Sequence, residues 1–277
     1  MMFPVTFPSR KRPLLLRALP DRLAIALWSR AYRGNPARWS ELYHAAELRY
    51  APGVTMRLQP GDVISDCIAL TGIYERLLTR RVSVLARAGG TMIEVGANIG
   101  YCSLLWASAR KNNRCIAFEA SPRIIEMLRS NVSRNGFEDR IDVVPMAAGA
   151  ASGRLAFDVG PTDQTGWGGF AAKPGASTID VEVKRVDDYV ASNSPIALLK
   201  IDAEGADTWA LEGCERLLAG RMVKEVWYEQ NKPRMRALEI RMDAAQTYLR
   251  RLGYDVVPRS DISNDVVEWS ATPTIRK

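Results

Sequence analysis

The 277-residue chain contains a single histidine, His44. That scarcity removes several chemistries at once. A zinc site built on imidazoles has no set of ligands. A Ser-His-Asp triad would have to recruit His44, which stands between Tyr43 and Ala45 in a helical stretch and reads as a helix-surface or half-buried residue. Cysteine is also sparse. Cys67, Cys102, Cys115 and Cys214 form no CxxC pair, so a zinc ribbon or redox dithiol is not expected. A core of this size needs no disulfide, which makes reduced thiols and a cytoplasmic setting the expectation. No run of about 18 apolar residues occurs, so no membrane-spanning helix is expected. Leu14, Leu15 and Leu16 follow basic residues as a signal peptide would, but Arg17, Asp21 and Arg22 interrupt the run too early. Internal repeats and low-complexity segments are absent.

Acidic residues are nearly missing from the first 40 positions, where Asp21 alone faces eight bases; the rest of the chain carries 30 charges of each sign. The formal net charge of +7 therefore belongs to an N-terminal arm. A nucleic-acid enzyme keeps basic charge around its cleft, so the neutral body argues against a nucleic-acid partner. The arm has two readings. As an amphipathic helix it would pack on the body through Leu23, Leu27 and Ala31, with Trp28 and Tyr32 beside them; otherwise it would make peripheral contact with an anionic membrane surface.

Residues 13–50 read as helices broken at Gly34-Asn35-Pro36, and 52–66 as short strands with turns at Pro52-Gly53 and Pro60-Gly61-Asp62. From Thr91 onward strands and helices alternate. Strands are expected over Thr91–Val95, Cys115–Glu119 and Ile141–Ala148, with helices over 101–111 and from Ser121-Pro122 to Asn135-Gly136. Ser121 is the expected cap of the latter helix, with Pro122 at its first position. Residues 154–159 and 179–186 read as a hairpin pair around a Gly-rich loop, Gly160 to Gly175. A buried strand follows over Ile196–Asp202, a helix over Asp207–Leu218, a strand over Glu225–Glu229, a helix over 239–252, and an edge hairpin over Tyr254–Val257 and Val266–Ser270. Near-continuous apolar strands alternating with helices predict an α/β fold with a mostly parallel sheet covered on both faces.

Three motifs carry the chemistry. Glu94-Val95-Gly96-Ala97-Asn98-Ile99-Gly100 lies at a strand end and opens a helix. Glycines there allow a sharp turn and close approach of a ligand, and a helix N-terminus offers free N–H groups. The G-x-x-x-G spacing lacks the room that G-x-G-x-x-G gives a diphosphate, so the loop suits a nucleoside without phosphate. Glu119, at the end of the next strand, can accept both hydroxyl protons of a ribose. Leu198-Leu199-Lys200-Ile201-Asp202-Ala203-Glu204-Gly205 places Asp202 at the carboxyl end of a buried strand, where open α/β sheets bind ligands. Lys200 shares its face and needs a partner; Asp202, Glu204 and Glu229 are the candidates. The loop Gly166-Trp167-Gly168-Gly169-Phe170 reads either as a flap over an acceptor or as a disordered hairpin tip.

Taken in order, IEVGANIGY, CIAFEASP, VVPMAAG, VKRVDDYV and LLKIDAEGAD, with TGIYE upstream, resemble the FkbM-type methyltransferase family. The resemblance runs from about residue 70 to 230. It implies a Rossmann-like class I S-adenosyl-L-methionine (SAM) dependent methyltransferase sandwich with a seven-stranded sheet and an N-terminal helical extension, divided here as a basic arm over 1–66 and a catalytic domain over 67–277. It implies that Glu94, Gly96, Asn98 and Gly100 surround the methionine part of the cofactor, that Glu119 holds the ribose, that Ala147 lies near the adenine, and that Ala97, Ala120 and Ser121 also contact the cofactor. Tyr74 and Glu75 would close over the cofactor. Asp202, Glu204 and Lys200 would border the transfer cleft. Glu94 stands where Asp is commoner, and Asp207 where Glu is commoner; both keep the charge.

The implied activity is O-methylation of a sugar, glycan or natural-product hydroxyl. With His44 unsuited, the base would be a carboxylate: Asp202 first, then Glu204 and Glu229. Those three could in principle hold Mg²⁺, but base or solvated roles are preferred and no metal is expected. Three other readings stand beside this one: a non-catalytic scaffold on the same fold, a methyltransferase with a non-hydroxyl acceptor, and an NAD-dependent oxidoreductase, against which the loop spacing argues. A base-modifying nucleic-acid methyltransferase would need an Asn/Asp-Pro-Pro-Tyr/Phe motif, which is absent.

Overall fold

The computed structural model describes residues 12, 14–31, 40–191, 195–261 and 263–274. The chain begins with helices α1 (Leu14–Ala18), α2 (Asp21–Ala31) and α3 (Ser40–His44), then a hairpin of β1 (Ala46–Leu48) and β2 (Ala51–Met56). Helices α4 (Val63–Thr71) and α5 (Arg76–Ala88) follow. The alternating unit consists of β3 (Thr91–Val95), α6 (Tyr101–Ala109), β4 (Arg114–Phe118), α7 (Pro122–Arg134) and β5 (Ile141–Val144). Next come β6 (Ala147–Ala148), β7 (Gly153–Asp158), β8 (Gly169–Phe170), β9 (Thr178–Lys184) and α8 (Val186–Tyr189). The chain continues through β10 (Ile196–Ile201), α9 (Asp207–Glu212), α10 (Glu215–Ala219), β11 (Val226–Asn231), α11 (Lys232–Ala237) and α12 (Ala244–Arg251), and closes with β12 (Tyr254–Asp261) and β13 (Val266–Pro273).

Seven strands form the central sheet in the order β12-β13-β11-β10-β3-β4-β5. β5, β4, β3, β10 and β11 are mutually parallel, and β13 runs antiparallel to both its neighbours. The fold is thus the Rossmann-like, mostly parallel α/β sandwich anticipated from the sequence. Strand alternation separates two cores. Met92 of β3 and Leu198 of β10 pack with α4 to α7. Ile93, Val95, Leu199 and Ile201 pack with α9, α10 and α12 on the other face. The order of strand addition reverses at the parallel β3–β10 pair: β4 and β5 build outward from β3 on one side, β11 from β10 on the other. That is the switch point at which such sheets open a crevice. A smaller sheet, β6-β9-β7-β8, carries its own apolar cluster around Phe157, Phe170 and Val183.

Several expected boundaries shift for local reasons. The stretch 13–50 is not helical to its end, because Ala46 and Leu48 alternate inward in β1; the break at Gly34-Asn35-Pro36 and Tyr32 lie outside the described residues. Pro52-Gly53 sits at a bulge within β2 rather than in a turn. Residues 63–66 are helical because Asp62 caps α4, accepting from the Ser65 N–H at 2.8 Å. The third strand ends at Val144 before Pro145, and Ala147–Ala148 joins the smaller sheet. The helix expected over Asp207–Leu218 divides at Gly213, where an added Cβ would stand 2.3 Å from the Gly149 carbonyl oxygen.

The arm packs on the body with Leu27 and Trp28 against the core, as expected, but the packed face is turned away from Leu23. Asp21, Ala24 and Trp28 of α2 point inward, while Leu23 is exposed. Asp21 draws the helix into this orientation: its carboxylate accepts from the Tyr50 hydroxyl at 2.7 Å and from Arg80 at 2.8 Å. Arg12 donates to the carbonyls of Ile68 and Ala69 at the end of α4 and to that of Glu47. His44 is exposed.

The loop after β7 is tied down rather than loose. Asp62 accepts from both the N–H and the hydroxyl of Thr165, each at 3.0 Å, and Arg123 donates to the carbonyls of Pro161, Thr162 and Gln164. Asp62→Ala should remove the α4 cap and both Thr165 anchors together. The expected loss is about 1–2 kcal/mol for the cap, with faster amide exchange over 160–168. Denaturant titration and hydrogen exchange check this; an unchanged midpoint and exchange pattern would show the latch to be idle.

Candidate active site

The switch point opens into a cleft with about 1110 Å³ of empty space, its open mouth included. Of the site residues expected from sequence, all but Gly100 line it. Gly100 stands behind the wall at the start of α6, with φ of 90°, where a Cβ would lie 2.6 Å from Leu128.

The glycine turn is set by one close approach. Gly96 has φ of 72°, and a Cβ there would fall 1.9 Å from the Asp202 carbonyl oxygen. Only glycine lets the ends of β3 and β10 meet so closely. The N–H groups of Gly96 and Ala97 donate to the Phe118 carbonyl, and that of Asn98 to Glu119 at 2.9 Å. These donors are engaged inside the protein, not free as the sequence suggested, so the turn offers no cradle of free N–H groups at these positions for a phosphate.

Glu119 is buried, and its second oxygen accepts from the Ser121 N–H at 2.9 Å. Burial raises its pKa, while N–H donors from Ser121, Asn98 and Ala120 oppose the rise. The Ser121 hydroxyl makes no cap: the first turn of α7 bonds to its backbone carbonyl instead. That hydroxyl and the Asn98 side-chain oxygen are buried without a partner, yet both residues face the cleft. Beside them Phe118, Met146, Ala147, Phe157 and Phe170 form an apolar end.

The opposite end is acidic. Lys200 and Glu94 sit directly across from each other in the β10–β3 register, both buried. The Lys200 ammonium lies 3.6 Å from Glu94 and 3.3 Å from Asp202, and donates to the Gly96 carbonyl at 3.1 Å. Among the candidate partners only Asp202 is used; Glu94 is the partner that sequence reading missed. Glu204 instead pairs with Arg234 at 3.6 Å and accepts from Asn231 at 2.9 Å. Arg234, which no sequence signal marked, also donates to the Trp167 carbonyl and so joins the acidic wall to the tied loop. Asp207 is buried at the start of α9 and accepts from the Glu229 N–H at 3.3 Å.

Among the described residues five non-glycine positions have left-handed backbone, and three of them, Glu75, Asn98 and Glu204, line this cleft. Strain of this kind collects where geometry is fixed for function. Burial, reinforced by the negative charge of Asp202, pushes Glu75 and Glu204 up to about 8 and Glu229 up to about 10. At neutral pH such values favour the protonated form of these three carboxyls, with Lys200 and Arg234 the cations beside them. Among the described residues no three His, Cys, Asp or Glu side chains are arranged to hold a metal ion.

Two outcomes follow from these charges. Lys200→Met should leave Glu94 buried without a counter-charge, lowering stability by about 3–5 kcal/mol; adding Glu94→Gln should restore much of it in a double-mutant cycle. Equal losses in the single and double variants would deny the pairing. For pH, a carboxyl raised from 4.5 to about 8 on folding keeps its proton in the native state where the unfolded chain has lost it. The native state then binds more protons, so stability falls as pH rises through that window. The thermal midpoint should drop between pH about 5 and about 8, and Glu204→Gln should shallow the slope; a rising midpoint in both proteins would contradict the charge assignment.

Comparison with known proteins places this geometry. Residues 94–256 match the methyltransferase FkbM domain. The chain is 24% identical over 238 residues to methyltransferase sdnD of Sordaria araneosa, covering 72% of this chain and 85% of that protein. It is 26% identical over 196 residues to the 31-O-demethyl-FK506 methyltransferase FkbM of Streptomyces tacrolimicus, covering 58% of this chain and 75% of that one. Among solved structures, methyltransferase FkbM from Methylobacillus flagellatus KT superposes with a TM-score of 0.47 at 18% identity, covering 66% of this chain and 43% of its own; this chain spans less than half of that relative. The O-methyltransferase from Bacillus cereus, solved in complex with SAH, gives 0.44 at 12% identity, covering 72% and 82%.

Proposed function

We propose that this chain, which belongs to the FkbM methyltransferase family, transfers a methyl group from SAM to a hydroxyl of a sugar, glycan or natural-product small molecule. The observation that carries the hydroxyl assignment is the acidic end of the cleft. Asp202 there is 29% exposed at its side chain, beside protonated carboxyls and next to the glycine turn. The name of the Streptomyces tacrolimicus relative specifies a hydroxyl acceptor for that protein, which supports the same acceptor chemistry here.

The residues present fit the cofactor. The partnerless Asn98 oxygen and Ser121 hydroxyl are orphaned polar atoms on the cleft wall, as a bound nucleoside would require. We assign Glu119, Ala120 and Ser121 to the ribose, the wall at Ala147 to the adenine, and Glu94, Gly96, Ala97 and Asn98 to the methionine part. When bound, SAM supplies an electrophilic methyl group on a sulfonium. The chain's own work is to hold the acceptor in line and to take its proton. Asp202 receives the hydroxyl proton in this reading. Glu204 and Glu229, protonated, donate hydrogen bonds that orient the acceptor. Lys200 is a positioning residue, fixing the Asp202 carboxylate relative to the turn. Tyr74 and Glu75 close the wall at the join of α4 and α5. Residues 67–277 act as the catalytic domain and 1–66 as the arm, although α4 runs through that boundary. Four buried free thiols support a cytoplasmic setting.

A panel of neutral sugars and polyketide alcohols with isotopically labelled SAM tests the acceptor class; labelling confined to amines or thiols would refute it. Asp202→Asn should keep donor affinity within severalfold and lower turnover by about 10²–10⁴-fold. Full turnover in that variant would remove Asp202 as the base.

A further inference from the structure

Nine large apolar side chains are exposed among the described residues, and four of them stand on three N-terminal helices. Leu15 of α1 is 53% exposed, Leu23 of α2 55%, Leu77 of α5 38% and Val84 of α5 49%. The inner faces of these helices are already engaged: Leu16, Ala24, Trp28, Leu78, Val82 and Ala86 are buried. Leu15, Leu23, Leu77 and Val84 thus stand on the sides of these helices turned away from the packed core. On α5 the positions Leu77, Arg80, Val84 and Arg87 recur at three- and four-residue spacing, which puts them on one side. The helix holds four arginines and no acid, with Arg80 ion-paired to Asp21 and Arg81 to Glu225. α1 packs on α2, and the ion pair between Asp21 and Arg80 joins α2 to α5.

The sequence also concentrates basic charge in its first third, Arg10, Lys11, Arg33 and Arg38 of that stretch lying outside the described residues. Residues 1–90 hold 14 bases and 6 acids, whereas 91–277 hold 24 bases and 25 acids. Apolar side chains standing among arginines, on helices too short and too polar to cross a bilayer, have the composition of an interfacial surface. Leucines enter the headgroup region while arginines meet anionic lipid. A nucleic-acid surface would use the arginines and gain nothing from the leucines.

We propose that the outer face of α1, α2 and α5 docks on an anionic membrane surface. Arg76 and Leu77 follow directly on Glu75 of the cleft wall, so the docked face meets the rim of the site. The docking itself does not depend on which acceptor is methylated.

The test is co-sedimentation of the full chain with vesicles of phosphatidylcholine, alone or mixed with phosphatidylglycerol. Partitioning should rise at least about tenfold with the anionic lipid and fall with added salt. Leu15→Ser/Leu23→Ser and Arg22→Glu/Arg87→Glu should each weaken it by about tenfold. All these positions are exposed, so circular dichroism should be unchanged. Equal partitioning to both vesicle types, no partitioning, or variants that bind like the parent would overturn the proposal. Preference for duplex DNA over the mixed vesicles would overturn it in favour of a nucleic-acid surface. The readout is lipid binding, so a failed acceptor screen leaves it unaffected.

Discussion

A buried ammonium ties the two halves of the sheet together. Lys200 on β10 reaches Glu94 on β3, the carbonyl of Gly96 and the carboxylate of Asp202. Burying a charge is expensive unless it is paired, so this geometry is narrowly specified. The two strands must keep the register that opposes residue 200 to residue 94. The turn must be glycine, because the Asp202 backbone fills the space a Cβ would take. Once those constraints hold, the cofactor end and the acidic end of the cleft stand in a fixed relation.

The two ends divide the chemistry of a group transfer. One end of the cleft is apolar, with orphaned polar atoms at Asn98 and Ser121. At the other end, burial and the neighbouring charge of Asp202 raise Glu75, Glu204 and Glu229 above the usual carboxylate range. Grouped carboxylates of unequal affinity for protons are how one site holds both donors and an acceptor. The tied loop from Gly160 to Phe170 encloses the cleft from above through Asp62 and Arg234.

Much of this was legible in the sequence because it is local. The strand–turn–helix at Glu94–Gly100, the acid at the end of β4 and the buried strand ending in Asp202 each lie within a few residues of one another. What was not legible depends on partners distant in the chain. Glu94 as partner of Lys200 follows from strand register, which one strand alone does not reveal. The place of Leu23 on α2 differs from the expectation because an apolar count favours it, whereas Asp21 is drawn inward by Tyr50 and Arg80. The split between β5 and β6 was marked by Pro145, whose missing N–H ends a ladder, but the apolar run across it hid the signal. Arg234 has no sequence pattern at all; its role exists only because α11 lies beside both Glu204 and Trp167.

We read the cleft at the β3–β10 join as a SAM site and not a dinucleotide site. Calorimetric titration of the purified chain with S-adenosylhomocysteine and, separately, with NAD tests it most directly. The expected result is saturable binding of S-adenosylhomocysteine at one site, with a dissociation constant on the order of micromolar, and no heat from NAD. Binding of NAD, or of neither ligand, would contradict it.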